Sequence, residues 1–408
     1  MGVWEYLEGI TRWPHRGSTS RFEQEAARWL EATLAGMGYR VRIQEFRAPA
    51  ATLYAGPPLV GLIVVLMAAL SLAAGASWVR AVAALVALAA VAVLIEEARL
   101  GSPALDLLLP RRPSQNVLAD EPDRPDGERP PGGPQIVVVA HYDTQRGSWL
   151  FSPPMRPFLA LFFRVAYGAL ALVLVGLMAG AVAGWVAPGW GAWRWIVGIG
   201  LGFSVVCLGF LALSGLFGRP VNGANDNGSG VAVALALARR WAGRGLPGVR
   251  LRFLFTGSEE TGTRGMWAYL RAEGAARGDK AAQSKDEIFF VNVDNVGGGR
   301  LRALLNEGML VPLGCGDRMR AVAERLAGPQ TWSLWPRMLL LSTDGGPAVQ
   351  HGYEALTFIG LEDGGGIPHY HWFSDIIQHV DRAHLERVSS AVALYVEALA
   401  ADVGRDRG

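Results

Sequence analysis

Five short motifs of acidic residues and histidines recur along the 408-residue chain, and their side chains are suited to binding divalent metal ions. The motifs are His141-Tyr-Asp143, Asn225-Asp226-Asn227, Glu259-Glu260, Asp294 and Tyr370-His371. Zinc accepts imidazole nitrogens and carboxylate oxygens as ligands, and a catalytic zinc site keeps one position open for water. Two such ions about 3.5 to 4 Å apart can share a carboxylate, acidify a water molecule and polarise a carbonyl group. The motifs therefore predict a two-metal hydrolytic site.

Each motif alone also has a purely structural interpretation. His141 and Asp143 lie on the same side of an extended chain, and histidines commonly pair with carboxylates without binding a metal. Glu259 and Glu260 are equally compatible with an exposed acidic turn. In a metal site, by contrast, one glutamate of such a pair binds the metal while the other transfers protons. The hydrolytic interpretation depends on all five motifs meeting.

The polar part of the sequence alternates between strand and helix patterns. A continuous β-branched run at 136–140 is typical of a strand buried on both faces. Asp381 is suited to capping a final helix, whose apolar residues follow at helical spacing. The predicted strands cover 39–46, 116–119, 136–140, 250–255, 287–293 and 355–359, and further helices cover 20–36, 231–241 and 265–273. This alternation predicts an α/β fold with a mostly parallel central sheet flanked by helices.

The motifs occupy favourable positions in that predicted sheet. His141, Glu259 and Asp294 each come at or shortly after the end of a predicted strand, whereas Asp226 precedes a helix rich in small residues. In open α/β sheets, ligand sites form outside the carboxyl ends of the strands. We therefore expect these side chains to lie together at one edge of the sheet.

Two pairs of hydrophobic runs interrupt the polar sequence, and hydrophobic residues make up 51% of the chain. The runs cover 59–74, 78–95, 158–186 and 192–217. A helix needs roughly 17 to 25 apolar residues to cross a bilayer, so we expect four transmembrane helices in two inserted hairpins. Buried core helices are the alternative, but the stretch 59–95 holds a single charge, Arg80.

The hairpins divide the rest of the chain into three parts. We expect one interrupted α/β domain in the segments 1–54, 99–155 and 219–408, with the hairpins at 55–98 and 156–218. The turns inside the hairpins carry only Arg80 and Arg194, and the opposite ends carry many more arginines. By the positive-inside rule, the motif-bearing segments lie in the cytoplasm of a multi-pass cell-membrane protein. The lipid bilayer is then a partner of all four helices.

Charge and cysteine content exclude other classes. The net charge of +2 gives no indication of nucleic-acid binding. Cys207 lies in an apolar run and Cys315 in a distant polar region, which argues against a disulfide framework. The first residues lack a basic region followed by an apolar core, so a cleaved signal peptide is not expected. The sequence leaves the oligomeric state open.

Taken in order, the motifs resemble those of the co-catalytic di-zinc aminopeptidases, a family related to leucyl aminopeptidase, glutamate carboxypeptidase and glutaminyl cyclase. The most specific part is Ala224-Asn225-Asp226-Asn227-Gly228-Ser229-Gly230. The resemblance covers most of 1–46 and 113–402 apart from the second hairpin. It implies a zinc-dependent aminopeptidase that hydrolyses the N-terminal bond of peptide substrates through a metal-bridging water, and the apolar runs add that this enzyme is membrane-anchored.

The resemblance also implies the ligands of two zinc ions. These are His141, Asp226, Glu260, Asp294 and His371. Asp226 would bridge the ions, His141 and Glu260 would complete one, and Asp294 and His371 the other. His369 is an alternative last ligand, but the family pattern places an aspartate four residues after the histidine, which selects His371 with Asp375.

Two further roles follow from the same resemblance. Glu259 would be the general base, and Asp143 would orient His141, as is expected beside a metal-binding imidazole. The peptide bond between Asp226 and Asn227 would be cis. Gly345 and Trp372 depart from the family pattern, where a histidine and a small hydroxyl residue are common. These departures lie near the expected substrate pocket and weaken inference about the substrate more than about the metals.

Two other functions remain open from the sequence. One is a different di-zinc amide chemistry, such as dipeptidase, carboxypeptidase or cyclase action. The other is a non-catalytic, receptor-like membrane protein of the same fold. All five expected ligands and the base are present, which favours an active hydrolase.

Overall fold

A central β-sheet organises the first of two units into which the chain divides. The computed structural model describes residues 1–50, 53–100, 105–106, 109–122, 133–187, 189–277, 287–308, 311–338 and 342–405. The first unit comprises Met1–Ala50, Arg111–Gly147 and Pro220–Gly408, and the second comprises Ala51–Pro110 and Ser148–Arg219. The first unit is thus assembled from three separate stretches of chain.

Twelve strands occur in the described residues. In chain order they are β1 Arg40–Pro49, β2 Arg111–Asp120, β3 Gln135–His141, β4 Arg146–Gly147, β5 Arg219–Pro220, β6 Arg250–Thr256, β7 Ile288–Asp294, β8 Arg300–Leu304, β9 Asn306–Glu307, β10 Leu313–Gly314, β11 Ser333–Trp335 and β12 Glu354–Leu361. Eight of these form the central sheet in the order β1-β2-β6-β3-β7-β12-β8-β11.

The middle of the sheet is parallel. Strand β3 pairs in parallel with β6 and β7, and β7 pairs in parallel with β12. The antiparallel pairs lie toward the margins, where β1 pairs with β2, β2 with β6, and β12 with β8. This arrangement confirms the predicted α/β class with a mostly parallel sheet. The strand expected at 116–119 is longer, at Arg111–Asp120, because it pairs along its whole length with β1.

Helices cover both faces of the sheet in the first unit. They span Val3–Thr11, Arg21–Gly36, Gly230–Trp241, Arg264–Arg277, Asp317–Leu326, Gly345–Gln350 and Arg382–Arg405. Along β3, Ile136 and Val138 join one hydrophobic core, and Val137 and Val139 join the core on the opposite face. The strand is therefore buried on both faces, as its continuous apolar sequence predicts.

The second unit contains four long apolar helices in its described part. They span Gly56–Ala73, Ser77–Leu100, Leu159–Val186 and Trp193–Phe217, and each is long and apolar enough to cross a membrane. Their inward side chains form a separate hydrophobic core that includes Val64, Val173 and Val197. Large apolar side chains also face outward, among them Leu66 and Val206. Outward apolar faces are costly in water and favourable in lipid.

Glycines allow two of these helices to approach closely. A methyl group built on Gly200 would lie 2.9 Å from the main-chain nitrogen of Val173 and 3.0 Å from the carbonyl oxygen of Ala169. Gly198 lies on the same helix, but a methyl group there would meet no atom within 4 Å. Small residues commonly permit such backbone contact between apolar helices.

We expect Gly200→Leu to destabilise the packing of Leu159–Val186 against Trp193–Phe217. Overpacking of this kind costs about 1–3 kcal/mol, so the thermal unfolding midpoint of the detergent-purified chain should fall. Gly198→Leu is the matched control, because it makes the same change on an open face of the same helix. Equal midpoints for the two variants would contradict the role of Gly200.

Candidate metal centre

The parallel strands bring three of the predicted motifs to one edge of the sheet. His141 is the last residue of β3, and Asp294 is the last residue of β7. Strand β6 pairs with β3 so that Thr256 lies opposite His141, and Glu259 and Glu260 follow in the next turn. The motifs meet because β6, β3 and β7 are neighbours that run in the same direction.

Asp226 reaches the same edge from an irregular turn at Ala224–Ser229. The peptide bond between Asp226 and Asn227 is cis, as the family resemblance implies. The side chain of Asn227 ties the turn to β7, since its amide nitrogen donates to the carbonyl oxygen of Val293 at 2.9 Å. Its amide oxygen accepts from the main-chain nitrogen of Asn295 at 3.1 Å. The turn is thus fastened to the strand that carries Asp294.

Two clusters of ligand atoms meet at the Asp226 carboxylate. The Nε2 atom of His141 lies 3.3 Å from Asp226 Oδ1 and 3.3 Å from Asp294 Oδ1. On the other side, His371 Nε2 lies 3.1 Å from Asp226 Oδ2 and 3.1 Å from Glu260 Oε2. The two oxygens of Asp226 therefore face two different histidine and carboxylate pairs.

This grouping of short contacts differs from the division of ligands that the resemblance implied, and that division stays a prediction. His141 shares its short contacts with Asp294 rather than with Glu260, and His371 shares its contacts with Glu260 rather than with Asp294. The reason is topological, because β3 and β7 are adjacent strands and their last residues lie side by side. The clusters adjoin, since ligand atoms of His141, Asp226 and Glu260 all lie within 4.8 Å of one another.

The structure places His371, rather than His369, beside Asp226 and Glu260. The Nδ1 atom of His369 is 2.7 Å from the hydroxyl of Ser374, and its ring stacks on that of His379 with centroids 4.7 Å apart. The Tyr370 ring stacks on His371 at 3.7 Å and so limits the orientation of this imidazole.

Asp375, the aspartate four residues after His371, contacts the turn that carries Asp226. Its carboxylate accepts hydrogen bonds from the main-chain nitrogens of Asn225 at 2.6 Å and Asp226 at 3.0 Å. The aspartate four residues after His371 therefore holds the turn that carries Asp226. The sequence motif identified Asp375 but not its partner Asp226, which lies 149 residues earlier in the chain.

Asp143 connects His141 to the glutamate pair. Its Oδ1 lies 3.6 Å from Nδ1 of His141 and accepts from the main-chain nitrogen of Glu259 at 2.9 Å. Its Oδ2 accepts from the main-chain nitrogen of Glu260 at 3.2 Å and from the hydroxyl of Ser18 at 2.6 Å. One buried carboxylate thus positions residues of two different motifs.

Two amide side chains also contact the candidate ligands, although the sequence did not single them out. The Nε2 atom of Gln145 donates to Glu260 Oε2 at 3.1 Å. The Nδ2 atom of Asn295 donates to Asp226 Oδ1 at 3.1 Å and to Asp294 Oδ1 at 2.9 Å. The contact of Asn295 with the candidate ligands could have been predicted, because Asn295 directly follows Asp294. Nothing in the sequence marks Gln145.

Burial makes the charges of this cluster unusual. It raises the pKa of Glu260 to about 7 and raises the pKa of Glu259 well above its usual value. Burial alone would raise the pKa of Asp226 and lower that of His371. The nearby imidazoles of His141 and His371 reverse the first shift, so the pKa of Asp226 falls below its usual value. The carboxylates of Glu260 and Asp226 reverse the second, so the pKa of His371 rises to about 10. Gathered carboxylates of this kind favour a bound cation.

The donor set fits a zinc site. Oδ2 of Asp226 and Oε1 of Glu260 are buried and make no hydrogen bond with any residue that the structure describes. Such atoms are costly to bury unless something else binds them. Imidazole nitrogens and carboxylate oxygens together are the ligand types that zinc accepts. A cation at this edge would satisfy the open oxygens and offset the repulsion among the carboxylates.

Comparison with known proteins identifies a related family and related folds. Residues 209–396 match the model of peptidase family M28. No match was found among curated proteins. An aminopeptidase from Aneurinibacillus sp. strain AM-1 has a similar structure, with a TM-score of 0.53 and 15% identity over 97% of this chain and 92% of that one.

Two further solved structures have the same fold. The zinc aminopeptidase BSAP from Bacillus subtilis has a TM-score of 0.53 and 15% identity over 97% of this chain and 93% of its own. The glutaminyl cyclase of Porphyromonas gingivalis has a TM-score of 0.52 and 14% identity over 97% of this chain and 96% of its own. Enzymes of two kinds therefore share the α/β fold seen here.

The pKa values predict how the metal-free protein responds to pH. Burial raises the pKa of Asp375 to about 7, as it does for Glu260, and His371 has a pKa of about 10. All three values exceed those of the unfolded chain, about 4 for the carboxyls and about 6.5 for histidine. Through these three groups the folded chain holds more protons than the unfolded chain between about pH 4 and pH 10, so their contribution to the free energy of unfolding falls as pH rises.

We expect the thermal unfolding midpoint in the presence of a chelator to be lower at about pH 8 than at about pH 5.5. Zinc should raise the midpoint more at the higher pH, because fewer protons then compete for the ligands. The measurement is thermal unfolding of the purified chain at both pH values, with and without zinc. A midpoint in chelator that increased with pH would contradict these pKa directions.

Proposed function

We propose that this chain, which carries a peptidase family M28 domain, is a membrane-anchored aminopeptidase that uses two zinc ions to hydrolyse the N-terminal peptide bond of peptides. The observation that carries the proposal is the meeting of two histidine and carboxylate clusters at the two oxygens of Asp226. A single-metal site would require fewer ligands than this arrangement offers.

We assign the ligands from the measured distances. His141 and Asp294 would hold one ion, His371 and Glu260 would hold the other, and Asp226 would contribute one oxygen to each. This assignment agrees with the contacts of 3.1–3.3 Å that the two histidines make with the two oxygens of Asp226. It also agrees with the buried Oε1 of Glu260, which makes no hydrogen bond with any residue that the structure describes. When bound, zinc would acidify water and polarise the peptide carbonyl group.

Glu259 is suited to carrying a proton from the attacking water to the leaving amine. Its Oε2 lies 4.0 Å from Nε2 of His141, farther than the oxygens of Asp226 and Asp294, so it borders the cluster without belonging to either ligand pair. Burial raises its pKa, which makes the carboxylate a stronger base than an exposed glutamate. The hydrogen bond from its main-chain nitrogen to Asp143 fixes its position. Glu259 would take a proton from the attacking water and deliver it to the leaving amine.

Glu259→Gln should abolish most of the activity while zinc remains bound. General acid and base groups contribute on the order of 100-fold to 10,000-fold, so we expect a loss of kcat in this range. Asp226→Ala should instead remove zinc, because both clusters lose their shared carboxylate. The measurements are peptide hydrolysis and elemental analysis of the purified full chain. Full turnover by Glu259→Gln would show that another group is the base.

The choice of substrate distinguishes an aminopeptidase from its relatives. A peptide with a free N-terminus should release its first residue, and the N-acetylated form of the same peptide should resist hydrolysis. Glutaminyl cyclase has a similar fold, so the panel should include a peptide that begins with glutamine. Formation of a cyclised N-terminus without hydrolysis would support cyclase action instead, and release from the carboxyl end would support a carboxypeptidase.

We further propose that the four apolar helices cross the cell membrane and that the metal centre lies in the cytoplasm. Their length and composition support the first part, and the arginines outside the hairpin turns support the second. A reporter that is active only in the cytoplasm, fused after Gly408, should therefore be active. The same reporter inserted at Gly189, in the turn of the second hairpin, should be inactive. The reverse pattern would overturn the orientation.

A further inference from the structure

Arg16 is a fully buried arginine that contacts the main chain of two ligand-bearing turns. Its guanidinium donates to the carbonyl oxygen of Tyr142 at 2.7 Å, between His141 and Asp143. It also donates to the carbonyl oxygens of Asn222 at 2.7 Å and Gly223 at 2.9 Å, just before the Asp226 turn. One rigid, planar group therefore spans the turn that carries His141 and the turn that carries Asp226.

Burying this charge requires compensation, which the site supplies. Burial lowers the pKa of Arg16 to about 10, and the carboxylates of Asp375, Asp143 and Asp226 favour the charged form. The side chain thus remains a cation at neutral pH. Filling the same volume with an apolar side chain would avoid the cost of desolvation. The arginine is explained by the carbonyl groups it joins and by the carboxylates nearby.

Glu23 makes an equivalent contact with the turn that carries the glutamate pair. Its Oε1 accepts from the main-chain nitrogen of Ser258 at 3.1 Å, and its Oε2 accepts from that of Thr19 at 2.8 Å. Ser258 has a φ of 52°, in the left-handed region that non-glycine residues seldom adopt. Because Asp143 accepts from the next two main-chain nitrogens, two buried carboxylates hold three consecutive residues, 258–260.

We propose that Arg16, Ser18 and Glu23, together named the N-terminal brace, are positioning residues for the metal centre. Arg16 would set the separation of His141 and Asp226, and Glu23 would set the position of Glu259. Ser18 lies between them in the sequence and donates its hydroxyl to Asp143, which holds Glu259 and Glu260. The brace lies outside the residues that match the family model, 209–396. The inference rests on the proposed two-zinc function and extends it to a segment with no assigned role.

Arg16→Lys tests the first arm of the brace. Lysine keeps the charge, but its single nitrogen cannot bond to the carbonyl oxygens of Tyr142, Asn222 and Gly223 together. Outer residues of this kind change metal affinity by about 10-fold to 100-fold, so the Kd for zinc should rise by this amount. The measurement is competition with a zinc-binding dye, using the purified full chain. Arg12→Lys is the matched control, because Arg12 stacks on Trp13 and does not contact a ligand turn.

Glu23→Gln tests the second arm. The amide keeps the shape of the side chain but replaces one acceptor with a donor, so it cannot accept from both Thr19 and Ser258. Zinc content and KM should stay unchanged while kcat falls about 10-fold to 100-fold, as expected when a catalytic group is slightly misplaced. Glu25→Gln is the matched control, since Glu25 lies on the same helix and bonds to Arg21 and Trp13.

The outcomes separate this inference from the proposed function. If the wild-type chain binds zinc and hydrolyses peptides, and both folded variants match it, the brace proposal is overturned alone. A wild-type chain that binds no zinc would overturn the two-zinc function and the brace together. Because the two arms are tested separately, a misfolded Arg16→Lys leaves Glu23→Gln to decide. If Arg16→Lys and Glu23→Gln lose no more zinc affinity or kcat than the controls Arg12→Lys and Glu25→Gln, the loss reflects general destabilisation, and the proposal is also overturned.

Discussion

The repulsion between buried carboxylates is the constraint on which this unit depends. Asp226 approaches the imidazoles of both His141 and His371, Asp294 approaches His141, and Glu260 approaches His371, each at 3.1–3.3 Å. Ligand atoms of Asp226 and Glu260 lie within 4.8 Å of each other. Buried like charges this close destabilise a fold unless cations or hydrogen-bond donors balance them.

Main-chain hydrogen bonds provide most of that support. Asp375 fixes the Asp226 turn, Asp143 fixes the glutamate pair, and Arg16 joins the turns of His141 and Asp226. These charged side chains bind peptide groups rather than the ligand carboxylates themselves. These three side chains thus hold the backbone of the candidate ligands without occupying the carboxylate oxygens of those ligands.

The class of fold was predictable from the sequence because its signals are local, and a continuous apolar run marks β3. The sequence also placed the candidate ligands in motifs that the sheet brings together, among them His141 at the end of that run. The way in which these candidates group was not accessible, since it depends on the order β6-β3-β7 in space. The roles of Arg16 and Gln145 were missed for the same reason, because their partners lie up to 207 residues away. Short strands such as Arg300–Leu304 carry too few residues for a clear alternation.

The interrupted connectivity of the first unit has a consequence for synthesis. His141 emerges from the ribosome before the second pair of apolar helices, and Asp226 emerges after it. The last candidate ligand, His371, is made after the other four. A chain made only as far as the second helical pair therefore holds His141 but lacks Asp226, Glu260, Asp294 and His371. The complete cluster of candidate ligands can form only after both helical pairs have been synthesised.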